Sequence, residues 1–77
     1  MDECSDEYFF ELGSDLFKQV SVKQDNANCY INATQYDDLG IIRKVEKHTV
    51  PVLEIVEMIQ FRWGMEIITR SGDKLAI

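Results

Sequence analysis

The sequence predicts an α+β domain in which a small antiparallel sheet, made of an N-terminal meander and a C-terminal hairpin, packs on one main helix near residues 50–63, with a short helix near residues 37–48. Three observations carry this expectation. Val and Ile number fourteen against eight for Ala and Leu, and four Phe, three Tyr and one Trp add to the residue types that suit a pleated, half-buried surface. Phe17 to Gln24 alternates with the period of a strand. Between residues 49 and 63, by contrast, Glu54, Glu57 and Gln60 recur at every third position, the spacing that keeps polar atoms on one face of a helix. At 77 residues the chain makes a single small domain with a thin core and a frayed start over residues 1–6.

Taken in order, Tyr8–Leu12 reads as a short strand that ends at the turn Gly13-Ser14-Asp15. Val20 and Val22 then face one way, and Gln19, Ser21 and Lys23 the other, as in a half-buried strand. Asp25-Asn26-Ala27-Asn28 supplies turn chemistry, because Asn and Asp side chains bond their own backbone, and Cys29–Thr34 returns as a third strand. Asp37 then caps the short helix, with Leu39, Ile42 and Val45 on one face, although Gly40 inside it costs about 1 kcal/mol relative to Ala. For the main helix, Thr49 is the N-cap, Pro51 lies in the first turn and Gly64 just past the end, with Val52, Ile55, Val56, Ile59 and Trp63 as the apolar face. A competing reading makes the same residues one long strand through Phe61 that turns at Trp63-Gly64. The C-terminus forms a hairpin around Ser71-Gly72, with Ile68 opposite Leu75 and Arg70 opposite Asp73.

Charge separates the two halves of the chain. Residues 1–38 carry nine acids against two lysines, whereas residues 39–77 carry five acids against six bases, so the net charge of −6 belongs to the first half. Counterion release from phosphates requires Lys and Arg, so this distribution disfavours nucleic acid and favours a basic protein surface. No apolar run reaches the about 18 residues of a membrane span, and the start, MDECSDE, is acidic where a secretory signal is basic and then apolar. The expected location is the cytoplasm, that of the host if the protein is viral.

Residues for catalysis, metal or cofactor binding do not assemble in the sequence. Cys4 and Cys29 form no C-x-x-C pair, the single His48 has no partner to mark it, and the four glycines are scattered as punctuation rather than gathered into a phosphate loop. The expectation is a protein that is not an enzyme and needs no cofactor. Tyr30-Ile31-Asn32-Ala33-Thr34-Gln35, preceded by Gln24-Asp25-Asn26 and followed by Arg43-Lys44-Val45-Glu46-Lys47, resembles the start of the KilA-N/APSES class of DNA-binding domains over about 25 residues. That resemblance implies duplex binding with Arg43, Lys44 and Lys47 on phosphates.

The leading functional expectation is a non-catalytic protein-binding module, a small acidic inhibitor of the anti-defence or immunity type that occupies a basic surface of its partner, such as a nucleic-acid-binding one. Its contact residues are expected among Asp2, Glu3, Asp6, Glu7, Glu11, Asp15, Asp37 and Asp38, together with Phe61, which is left over beyond the main helix's apolar stripe. A structural subunit forming a homo-oligomer is the third class, because a thin core and strands near both ends invite strand addition.

Overall fold

Two antiparallel meanders, laid face to face, make up the molecule. In a computed structural model, which describes residues 4–77, strands β1 (Cys4–Glu11), β2 (Leu16–Gln24), β3 (Asn28–Asp37) and β4 (Ile42–Pro51) pair in chain order as one sheet. Strands β5 (Ile55–Gln60), β6 (Met65–Thr69) and β7 (Lys74–Ala76) pair in chain order as another, and a single 3-10 turn, Val52–Glu54, joins the two. The extents of 38 × 31 × 16 Å are those of a flat two-layer sandwich, as sheets stack about 10 Å apart.

Alternation decides which face is buried. Phe10 on β1, Val20 and Val22 on β2, Cys29, Ile31 and Ala33 on β3 and Val50 on β4 all point inward, and they meet Met65, Ile67 and Ile77 from the smaller sheet in one apolar cluster. Val20, Ile31 and Ile67 are fully buried, each such side chain stabilising the fold by about 1.5–3 kcal/mol relative to exposure. Two polar contacts pin the layers at opposite ends: the Val52 N–H donates to the Ala27 carbonyl at 3.0 Å, and the Lys18 ammonium donates to the Ile77 backbone oxygen at 2.8 Å. Lys18 is buried, with its Nζ 5.8 Å from the centre of the Phe10 ring, and burial pushes its pKa down, with Glu46 opposing and Lys44 reinforcing that shift.

The α+β expectation is corrected: no α-helix occurs among the described residues, and the chain is nearly all sheet. Residues 50–63 contain the end of β4, the 3-10 turn, the edge strand β5 and a turn. Val50, Val52, Ile55, Val56 and Ile59 are β-branched, so a helix would restrict their χ1 angles while a strand accommodates them. The every-third-position polar pattern misled because it separates helix from strand only where one face is covered. On the edge strand β5, Glu57 and Gln60 are both exposed, and Val56, assigned to the helix's buried stripe, is 62% exposed.

Residues 37–48 are likewise corrected from a short helix to a tight turn leading into β4. Gly40 takes φ +81°, its N–H donates to the Asp37 carbonyl at 3.0 Å, and the Asp37 N–H donates to the Ile41 carbonyl at 3.0 Å, a turn followed by a left-handed residue that reverses the chain. The same turn recurs at the C-terminal hairpin, where the Gly72 N–H donates to the Thr69 carbonyl and the Thr69 N–H to the Asp73 carbonyl, both at 3.0 Å. The three-residue loop shifts the expected register by one, so Leu75 pairs with Ile67 and Lys74 with Ile68. The strands expected at 8–12, 17–24 and 29–34 are present as β1, β2 and β3; β2 and β3 run longer, and β1 stops at Glu11 but already includes Cys4 to Asp6 of the start expected to fray.

Candidate functional site

One end of the sandwich gathers three loops: residues 12–15 between β1 and β2, 38–41 between β3 and β4, and 61–64 between β5 and β6. The first two are neighbours because Leu16 pairs with Asp37. The third is brought alongside by the Lys18 to Ile77 bond, since Gly64 sits directly against those same two groups.

Each loop is held by its own backbone bonds, and these present apolar side chains outward. The Leu12 N–H donates to the Leu16 carbonyl at 2.8 Å, and the Phe61 N–H to the Gly64 carbonyl at 2.7 Å. In the middle loop the Asp37 carboxylate accepts the Leu39 and Ile41 N–H groups at 3.0 and 2.9 Å and pairs with Arg43 Nε at 3.2 Å. The Ile41 N–H contributes most to keeping the Asp37 carboxyl below its ordinary pKa, against partial desolvation, with Leu39 and Arg43 adding to it. This scaffold leaves Leu39 79% exposed at the tip and Ile41 exposed beside it. On the neighbouring hairpin the Phe61 and Trp63 rings stack at 5.8 Å and 8°, with Trp63 64% exposed.

Of the acids expected from the sequence, Glu11, Asp15 and Asp38 are exposed at this end, where Phe61 also lies. Asp37 is there too, but its oxygens are committed to the turn and to Arg43. Asp6 and Glu7 lie farther along β1, on opposite faces of the sheet, opposite Val22 and Ser21. Asp2 and Glu3 are outside the described residues. Leu39, Ile41 and Trp63 went unrecognised because a helical reading assigned Leu39 and Trp63 to buried faces; the Leu39-Gly40-Ile41-Ile42 run directly after two aspartates is the signal for an apolar loop tip.

Two other polar clusters are structural in character. On the uncovered part of the inner face, Lys44 Nζ lies 2.7 Å and His48 Nε2 3.4 Å from the Glu46 carboxylate, which lowers the Glu46 pKa, through Lys44 first and His48 second. At the end opposite the three loops, Lys23, Gln24, Asp25 and Tyr30 line a shallow depression of about 250 Å³. The Asp25 oxygens there accept the Ala27 and Asn28 N–H groups and the Tyr30 hydroxyl, which closes the turn.

No family model matches the chain, and no curated protein or solved structure matches it either. The likeness of Tyr30–Gln35 to the KilA-N/APSES class therefore gains no support from a family model; those residues form the middle of β3.

Proposed function

We propose that the chain is a non-catalytic protein-binding module, a small acidic inhibitor that docks its three-loop end onto a basic surface of a partner protein. The observation that supports this is the grouping of Leu39, Ile41, Phe61 and Trp63, all exposed, with the acids Glu11, Asp15 and Asp38 on the same end. Large side chains held in water by rigid turns are typical anchors for a partner's apolar pocket, and acids around them match a rim of Lys and Arg. Such a rim is common where a protein binds nucleic acid, so occupying it blocks the natural ligand. In this reading the protein works in the cytoplasm, its own or a host's, where the buried free thiol of Cys29 stays reduced.

The test is capture from lysate with nuclease present, comparing wild type with Leu39→Asp and Trp63→Ala, followed by affinity measurement on the captured protein. Each substitution should weaken binding by about 2 kcal/mol or more while the thermal midpoint stays near wild type. Wild-type association should slow as salt rises to physiological strength, where screening acts over about 8 Å. Capture that both variants retain, or that nuclease abolishes, refutes the reading.

A further inference from the structure

We propose that the outer face of the four-stranded sheet is a homodimer interface, in which two copies stack these faces about a twofold axis parallel to the strands, Glu7 over Lys47 and Phe9 over Val45 of the second copy. This goes beyond the loop-end reading and uses a different surface.

An antiparallel sheet with one solvated face is ordinarily polar on that side. Here the outer face carries Phe9, 65% exposed, and Val45, 51% exposed, with the stacked pair Phe17 and Tyr36, at 5.8 Å and 26°, in the next rank. The smaller sheet covers only the opposite side, and nothing among the described residues covers this one.

What identifies the occupant is the order of residues across the strands. Reading from β1 to β4, one rank is Glu7, Ser21, Asn32, Lys47 and the next is Phe9, Gln19, Thr34, Val45. A twofold axis parallel to the strands lays β1 over β4 and β2 over β3 while keeping each rank in place. Acid then meets base, Phe9 meets Val45, Gln19 meets Thr34, and in the third rank Phe17 meets Tyr36. Glu11, opposite Ile42 in that third rank, and Lys23, which falls over Tyr30 in the rank on the other side of Glu7, lack a group of opposite charge, and both are exposed near the ends of the face. An axis perpendicular to the strands reverses the ranks and sets Glu7 against Glu11, so like charges exclude it. Glu7 and Lys47 cannot neutralise one another within one chain, since three strand spacings of about 4.8 Å separate them.

The area also fits. Four strands of eight to ten residues present a face of about 500 Å² per copy, so stacking two removes about 1,000 Å² in total, the lower bound for a specific interface. Sheets in such a stack align within about 30°, which the twist of each sheet accommodates.

Sedimentation equilibrium from micromolar to millimolar protein tests the proposal, with the thermal midpoint of each variant checking that it folds. Wild type should form a concentration-dependent dimer. Glu7→Lys alone and Lys47→Glu alone should each raise the dissociation constant by about tenfold or more, because each places like charges together twice per dimer. The combined swap should restore affinity to within a few-fold of wild type, a recovery that requires Glu7 of one copy to face Lys47 of the other. Trp63→Ala, on the loop end, should leave the dimer unchanged, which keeps this test separate from that of partner binding. A monomer throughout, a dimer indifferent to either single reversal, or a swap that fails to restore it overturns the proposal; a dimer indifferent to the reversals would be one joined at strand edges.

Discussion

The two sheets differ in what holds them together. The larger pairs strands of eight to ten residues and supplies seven of the ten buried core side chains among the described residues, whereas the smaller pairs strands of six, five and three residues and supplies Met65, Ile67 and Ile77. A three-residue strand such as β7 contributes few ladder bonds, so the smaller sheet owes its order to docking on the larger. The larger sheet depends on the smaller in turn, because without that cover Val20 and Ile31 would lie open to water. A lopsided sandwich of this kind is expected to fold as one unit, because the described residues share one apolar cluster between the two layers.

The strongest way to break this view is to cut the core from each side. Ile31 and Ile67 are both fully buried, one in each layer, and either change to Ala removes apolar burial and leaves a cavity, at a cost of about 2–5 kcal/mol, a large share of the stability of a small domain. Urea unfolding followed by both circular dichroism and amide exchange should show one transition for each variant, with coincident midpoints. If Ile67→Ala released β5 to β7 while β1 to β4 kept their protection, the two sheets would be separate folding units.

A smaller effect sharpens the comparison at the seam. A Cβ at Gly64 would collide with the Ile77 carbonyl oxygen and lie 2.8 Å from Lys18 Nζ, so Gly64→Ala has to displace the bond between Lys18 and Ile77. Overpacking of this kind costs about 1–3 kcal/mol. Gly13, with no atom within 4 Å of such a Cβ, is the control, and Gly13→Ala should leave the midpoint within about 0.5 kcal/mol of wild type. Equal midpoints for the two variants would mean that the seam carries no stability.

The same asymmetry explains what could be read from the sequence. In β2 and β3 one face is covered along most of the strand, so Val20, Val22, Ile31 and Ala33 alternate cleanly with polar residues, and the strands and turns of residues 8–34 were legible. In β4 only Val50 is buried, so Arg43 to Thr49 carries little periodic signal, and the helical pattern of Glu54, Glu57 and Gln60 arises on an edge strand that needs no pattern at all. Phe61 was legible only as an apolar residue left over beyond one stripe, of a helix that does not occur among the described residues. The site around it was not, because loops distant in sequence meet only through pairings such as Leu16 with Asp37 and through the Lys18 contact with the C-terminal strand.

The smallest expected effect is the response to pH, which probes the two ends of the larger sheet against its middle. Asp25 at one end is held below its ordinary 3.8, chiefly by the Asn28 N–H, with the Ala27 N–H and Tyr30 hydroxyl adding to it, and Asp37 at the other end is held down by Ile41, Leu39 and Arg43. Depressed carboxyls stabilise the fold fully above their ordinary value, and that contribution is lost as pH falls through the depressed one, so the urea midpoint should hold level down to about pH 5 and decline below it. Solvent screening around exposed carboxylates keeps each share small. Lys18 works with the same slope at the other extreme: its pKa is lowered from 10.5 by burial, the unfolded chain binds the proton more tightly, and its share of the stability should rise as pH climbs from the lowered value toward 10.5, while the Cys29 thiol, pushed above 9.0 by burial, works against it in wild type and variant alike. Lys18→Met should remove this alkaline rise and leave the acid decline in place. A midpoint that falls in alkali for wild type but not for Lys18→Met would reverse the sign assigned to Lys18 and show that its ammonium, with the Ile77 oxygen and the Phe10 ring, is better stabilised inside the sandwich than in water.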